Sequence, residues 1–124
     1  MARGKILIVD DEIEVRGFFQ AFLEDRDFLV VTAANGEEGF EKFQQEPFDL
    51  VISDMLMPRM IGLELLRRIK TAKPDQRVIL MTGVKEETMV AKAKALGCQF
   101  YITKPVTLAD VEAKVVEALQ KSSS

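Results

Sequence analysis

The sequence predicts an α/β fold: a five-stranded parallel sheet covered by helices on both faces. Short β-rich runs alternate with stretches of helical spacing, five of each within 124 residues. Ile6–Val9 is a continuous apolar run, as expected of a strand buried on both faces rather than one facing water. Turn signals fall between the segments at Asn35-Gly36, Met57-Pro58, Lys73-Pro74-Asp75 and Gly97.

In chain order, the first strand is Ile6–Val9, followed by a helix over 12–24 with Ile13, Val15, Phe18, Phe19, Phe22 and Leu23 at helical spacing. The second strand, Phe28–Thr32, leads to a helix over 37–44 marked by Phe40 and Phe43. Leu50–Ser53 is the third strand, with a helix over 63–71 carrying Leu63, Leu66 and Ile69. Val78–Met81 and a helix over 86–96, with Met89, Val90, Ala93 and Leu96, come next. The last pair is Phe100–Ile102 and a helix over 107–120, which opens with Thr107 and Asp110 at the spacing of a capping box. Strands alternating with helices imply right-handed crossovers and a three-layer, doubly wound sheet. The chain reads as one domain over 1–121 with a frayed tail at 122–124.

Composition narrows the chemistry. Lys plus Arg total 17 against 20 Asp plus Glu, and no basic cluster exceeds a pair, which argues against direct nucleic acid binding. No apolar run approaches a membrane span, and no signal peptide is visible. A single cysteine, Cys98, suits a reducing cytoplasm. There is no histidine, so the chemistry must use carboxylates, hydroxyls and lysines.

In an open parallel sheet the ligand site lies beyond the carboxyl ends of the strands. The first strand ends in Asp10-Asp11-Glu12, the third in Asp54, the fourth in Thr82-Gly83, and the fifth near Lys104-Pro105. Each has a plainer reading: the acids as helix caps, Thr82 as the cap of the next helix, Lys104 as a solvated cation, Pro105 as a helix starter. Together they are three carboxylates, a hydroxyl and an ammonium on one edge of the sheet. Clustered acids raise one another's pKa unless a cation is near. An all-oxygen set without Cys or His suits a hard ion such as Mg²⁺. With Lys104 and Thr82 added, the set suits a phosphoryl group on Asp54, a carboxylate being a competent nucleophile.

The stretches "ILIVDDE", "VISDMLMPRMIG", "LMTG" and "GCQFYITKP", in that order over residues 4–120, strongly resemble the receiver domain of two-component response regulators. The resemblance implies a flavodoxin-like fold with strand order 2-1-3-4-5. It implies Asp54 as phosphoacceptor, taking its phosphoryl group from a sensor histidine kinase or a histidine phosphotransfer protein. Asp10, Asp11, Asp54 and the backbone carbonyl of Leu56 would hold Mg²⁺, with Mn²⁺ as a substitute. Thr82 matches the switch hydroxyl, Tyr101 the switch aromatic and Lys104 the phosphate-binding lysine, with a cis bond expected at Lys104-Pro105. By itself Tyr101 reads as a half-buried strand aromatic. Phosphorylation would shift the surface over 86–120 and so control an effector or output domain, the protein being a monomer or a phosphorylation-dependent dimer. A pseudo-receiver that only binds partners and an aspartyl-nucleophile phosphohydrolase are the alternatives. The second is disfavoured because D-D-E stands where such enzymes carry D-x-D.

The sequence departs from the family pattern at three places. Ile61 stands where an acid is common, in an expected surface loop. Gln99-Phe100 replaces an acidic pair used in dimerisation, and Phe100 is either an exposed contact or packed under a helix. The resemblance places Leu56 and Val84, two residues after Asp54 and Thr82, beside the path of the attacking water; being apolar, they cannot orient it, so self-dephosphorylation is expected to be slow.

Overall fold

A computed structural model describes residues 3–57, 59–83 and 85–120. The strands are β1 (Gly4–Val9), β2 (Phe28–Ala33), β3 (Leu50–Asp54), β4 (Val78–Thr82) and β5 (Phe100–Thr103). The helices are α1 (Ile13–Glu24), α2 (Gly36–Gln45), α3 (Gly62–Ala72), α4 (Glu87–Ala95) and α5 (Leu108–Gln120). All strand pairs are parallel and the order is β2-β1-β3-β4-β5, as expected.

Alternation along the strands divides the core into two layers. Leu7, Val9, Val51 and Leu80 face α2, α3 and α4, joined by Leu65, Leu66 and Ile69 of α3. Ile6, Ile8, Leu50, Ile52 and Ile79 face α1 and α5, joined by Phe19, Leu23, Val111 and Val115. Ile6 to Val9 are fully buried, so β1, flanked by β2 and β3, serves both layers. Each such side chain contributes about 1.5–3 kcal/mol by leaving water.

Thr107 Oγ1 accepts the Asp110 N–H at 3.1 Å, as the capping-box spacing predicts. Asn35, read from sequence as a turn, caps α2: its side-chain oxygen accepts the Glu38 N–H at 2.9 Å, and Glu38 accepts the Ala34 N–H in return. The acids after β1 do not cap α1. Its N-cap is Glu12, which makes no side-chain cap bond, while Asp10 Oδ1 accepts the Glu12 N–H at 2.9 Å in a local turn. Nor does Thr82 cap α4, whose N-cap is Glu86. Pro105 precedes the first helical residue, Leu108, by three positions and does not start α5.

Phe100 is buried, packed in the α1/α5 layer with Val111 and Val115, while Gln99 is exposed. The exposed-contact reading of Phe100 is thereby overturned. Period-two alternation places Phe100 and Ile102 on that face and Tyr101 on the other. Ile61 is 39% exposed at the start of α3, on the surface as expected. The tail at 122–124 lies outside the described residues.

Candidate functional site

The rim at the carboxyl ends of β1, β3, β4 and β5 brings the predicted residues together. Parallel register does this: Asp54 pairs with Met81 and Thr82 with Thr103, so successive strand ends lie side by side. Lys104 Nζ donates to Asp54 Oδ1 at 2.9 Å. Carboxylate oxygens of Asp10, Asp11 and Asp54 all lie within 4.8 Å of one another. Asp10 is only 2% exposed and Asp54 only 4%, whereas Asp11 is open to solvent. The Lys104-Pro105 bond is cis.

The loop after β3 closes tightly on the site. The Gly62 N–H donates to the Met55 carbonyl at 2.7 Å. A Cβ on Gly62 would stand 2.3 Å from the Asp54 carbonyl oxygen, so only glycine permits this approach. Leu56, two residues after Asp54, is half exposed. Val84 lies outside the described residues.

The electrostatics follow from burial. Burial pushes the Asp10 carboxyl up to about 6; the Glu12 N–H opposes this, and the charges of Asp54 and Asp11 add to it. Burial alone would lower the Lys104 ammonium, but its hydrogen bond to Asp54 and the charge there outweigh that and hold it above its usual value. An excess of negative charge thus sits at a buried, all-oxygen set, which fits a hard divalent cation: oxygens suit it, and its charge would relieve the acids.

Thr82 is buried at the end of β4, and its carbonyl accepts the Lys104 N–H at 2.8 Å. Tyr101 is half-buried on β5, and its hydroxyl donates to the Cys98 carbonyl at 2.9 Å. Burial raises the phenol, so it remains a donor through the neutral range. Between Thr82 and Tyr101 lies a cavity of about 560 Å³ walled by Glu87, Val90 and Lys94 of α4. A second cavity, about 380 Å³, opens beside Asp10, Asp54 and Lys104 and runs along Phe18 of α1 to Val106.

Strand-end reading missed three contributors. Arg16 Nη1 donates to the Asp10 carbonyl at 2.8 Å, fixing the chain as it leaves β1. Gly62 and Glu86 act through loop paths that spacing does not disclose. Arg16 lies one turn past Glu12, the N-cap of α1, and its place in the first turn is the sequence signal for a contact with the end of β1.

A buried strand-end aspartate paired with a lysine and flanked by two further acids makes an anionic, all-oxygen rim suited to a divalent cation. The response regulator receiver domain family matches residues 6–116, and the chain belongs to it. It is 38% identical over 120 residues to the chemotaxis protein CheY of Listeria monocytogenes, covering 96% of this chain and 98% of that one. It is 33% identical over 118 residues to the alkaline phosphatase synthesis transcriptional regulatory protein PhoP of Bacillus subtilis. There the match covers 95% of this chain and 49% of the relative, so the chain spans about half of PhoP. A response regulator receiver domain protein from Clostridium thermocellum superposes with a TM-score of 0.88 at 34% identity, covering 96% of this chain and 94% of that one. Receiver domains of two-component systems are signalling switches and not classical enzymes. Among the described residues, no helix is long and apolar enough to cross a membrane.

Proposed function

We propose that the chain is a cytoplasmic phosphoacceptor switch in which Asp54 takes a phosphoryl group from a phosphohistidine on a sensor kinase or phosphotransfer protein. The observation that carries this reading is the 2.9 Å pair between Lys104 Nζ and Asp54 Oδ1 on a rim shared with Asp10 and Asp11. The Asp54 carboxylate forms a new O–P bond as the P–N bond to the donor imidazole breaks, and the imidazole keeps the electron pair. Lys104 neutralises charge on the phosphoryl oxygens, and the Thr82 hydroxyl donates to the product. Asp10, Asp11, Asp54 and the Leu56 carbonyl would hold Mg²⁺, or Mn²⁺ in its place. When bound, the ion supplies charge compensation for the transferring group.

Phosphorylation brings the charge at Asp54 to roughly −2. Thr82 gains a partner only in that state, which draws in the turn after β4 and gives Tyr101 room to follow. The surface over 86–120 then presents a changed face to an effector or output domain. The size of that shift equals the difference in phosphoryl binding between the two states. The receiver unit is assigned to 1–121.

Intact mass after incubation with acetyl phosphate tests the reading. A gain of about 80 Da, one phosphoryl group, is expected with Mg²⁺, and none is expected without Mg²⁺ or in Asp54→Asn. An adduct that survives in Asp54→Asn would overturn it. Phosphoryl lifetime is expected to be long, because Leu56 and Val84 offer nothing to orient water. Replacing them with Asn and Glu should shorten it, and an unchanged lifetime would sink the idea.

A further inference from the structure

Glu86 stands immediately before α4 and turns its side chain back along the chain. Its Oε2 accepts the Gly83 N–H at 2.9 Å, while its own N–H donates to the Gly83 carbonyl at 3.2 Å. Its other oxygen, Oε1, lies 3.3 Å from where a Cβ on Gly83 would be. Both carboxylate oxygens therefore sit against this one residue. A reciprocal pair between residues three apart closes a turn, and turn closure is the plain structural role.

Position gives the contact a second role. Gly83 directly follows Thr82 on the strand-end rim, and the Thr82 carbonyl binds the Lys104 N–H. An anion thus already occupies an N–H donor on the rim. On the phosphoacceptor reading, a phosphoryl group on Asp54 would bring a second anion to the rim on which the Gly83 N–H lies. Two anions cannot share one N–H without repulsion.

We infer that the Glu86 carboxylate is a built-in competitor of the phosphoryl group, holding the Gly83 N–H in the unphosphorylated state and releasing it when Asp54 is modified. The inference rests on the phosphoacceptor reading of Asp54. Because the turn at 83–86 runs straight into α4, exchanging one anion for the other couples chemistry on β3 to that helix. Removing the carboxylate favours the phosphoryl-bound state by whatever the Glu86–Gly83 contact contributed.

Beryllofluoride with Mg²⁺, a stable phosphoryl mimic, can be titrated against wild type, Asp54→Asn, Glu86→Gln and Glu86→Ala, following backbone amide resonances. Binding is expected in wild type and lost in Asp54→Asn. Glu86→Ala should bind about fivefold tighter, the scale of one typical hydrogen bond after competition with water. Glu86→Gln should lie between, since a neutral amide oxygen still closes the turn. If Glu86 serves only the turn, Glu86→Ala binds equally or more weakly and Glu86→Gln matches wild type; either result overturns the inference alone. Wild type that fails to bind overturns the phosphoacceptor reading and the inference with it.

Discussion

Helices α3 and α4 lie side by side against the same face of the sheet, yet they are held very differently. α3 follows the Asp54 strand and buries Gly62, Leu65, Leu66 and Ile69. α4 follows the Thr82 strand and buries Ala93 alone, with Met89, Val90 and Leu96 only partly covered. α3 also enters through Gly62, locked against Asp54 and Met55, whereas α4 enters through a turn closed by a surface carboxylate. Local stability follows buried apolar contact, so the rim has a fixed half, carrying the acids, and a half that can move at low cost, carrying Thr82 and Tyr101.

The sharpest way to break this comparison is to truncate one side chain in each helix. Leu66→Ala is expected to destabilise by about 3 kcal/mol, as for a fully buried leucine in a well-packed site. Val90→Ala, half-buried in α4, should cost about 1 kcal/mol or less. Urea unfolding measures both. Equal losses would mean that α4 is anchored as firmly as α3, and the division of the rim would fall. Amide exchange should agree, with α4 exchanging well before α3.

The fixed half is itself under electrostatic load, which yields the next effect in size. In the metal-free protein the folded Asp10 carboxyl titrates near 6, above its ordinary value of 3.8. The native state therefore binds the proton more tightly than the unfolded chain does. That contribution is complete below about 4, and it is lost as pH rises through about 6. Asp10→Asn should remove this dependence and stabilise the metal-free protein at pH 7 by about 1–2 kcal/mol, since Asn can still accept the Glu12 N–H. Mg²⁺ binding followed by calorimetry should weaken up to about tenfold per pH unit below 6, as the proton competes for Asp10. Affinity that stays flat from pH 5 to 8 would place the ion away from Asp10.

The strand ends of both halves are legible in the sequence. Asp10, Asp54 and Lys104 were readable because strand ends in a parallel sheet must share one edge, and a continuous apolar run says where a strand stops. Phe100 could have been settled the same way, by counting alternate positions from Ile102. What spacing could not disclose are contacts set by loop path and rotamer. Glu86 folding back to Gly83, Arg16 reaching the Asp10 carbonyl and the tyrosine hydroxyl bonding to Cys98 are of this kind. Most of those gather on the movable side, where few buried contacts constrain the chain and small polar interactions decide its conformation.

Tyr101 gives the smallest and most specific test of that side. It is the sole tyrosine, and there is no tryptophan, so its emission reports on β5 alone. Its hydroxyl is committed to the Cys98 carbonyl at the approach to β5, with the ring half-buried beside the cavity that reaches Thr82. One neutral hydrogen bond of this kind contributes about 1 kcal/mol at most when partly exposed. Tyr101→Phe should therefore cost less than 1 kcal/mol in unfolding while leaving Mg²⁺ affinity unchanged, because it touches none of the acids. If ring movement accompanies the pull on Thr82, freeing the ring lowers the cost of that movement and beryllofluoride binds slightly tighter. In wild type, tyrosine emission should then change on beryllofluoride addition but not on Mg²⁺ alone. Emission that responds to Mg²⁺ alone and not to beryllofluoride would mean that the two halves of the rim move together, and the contrast between α3 and α4 would carry no signal.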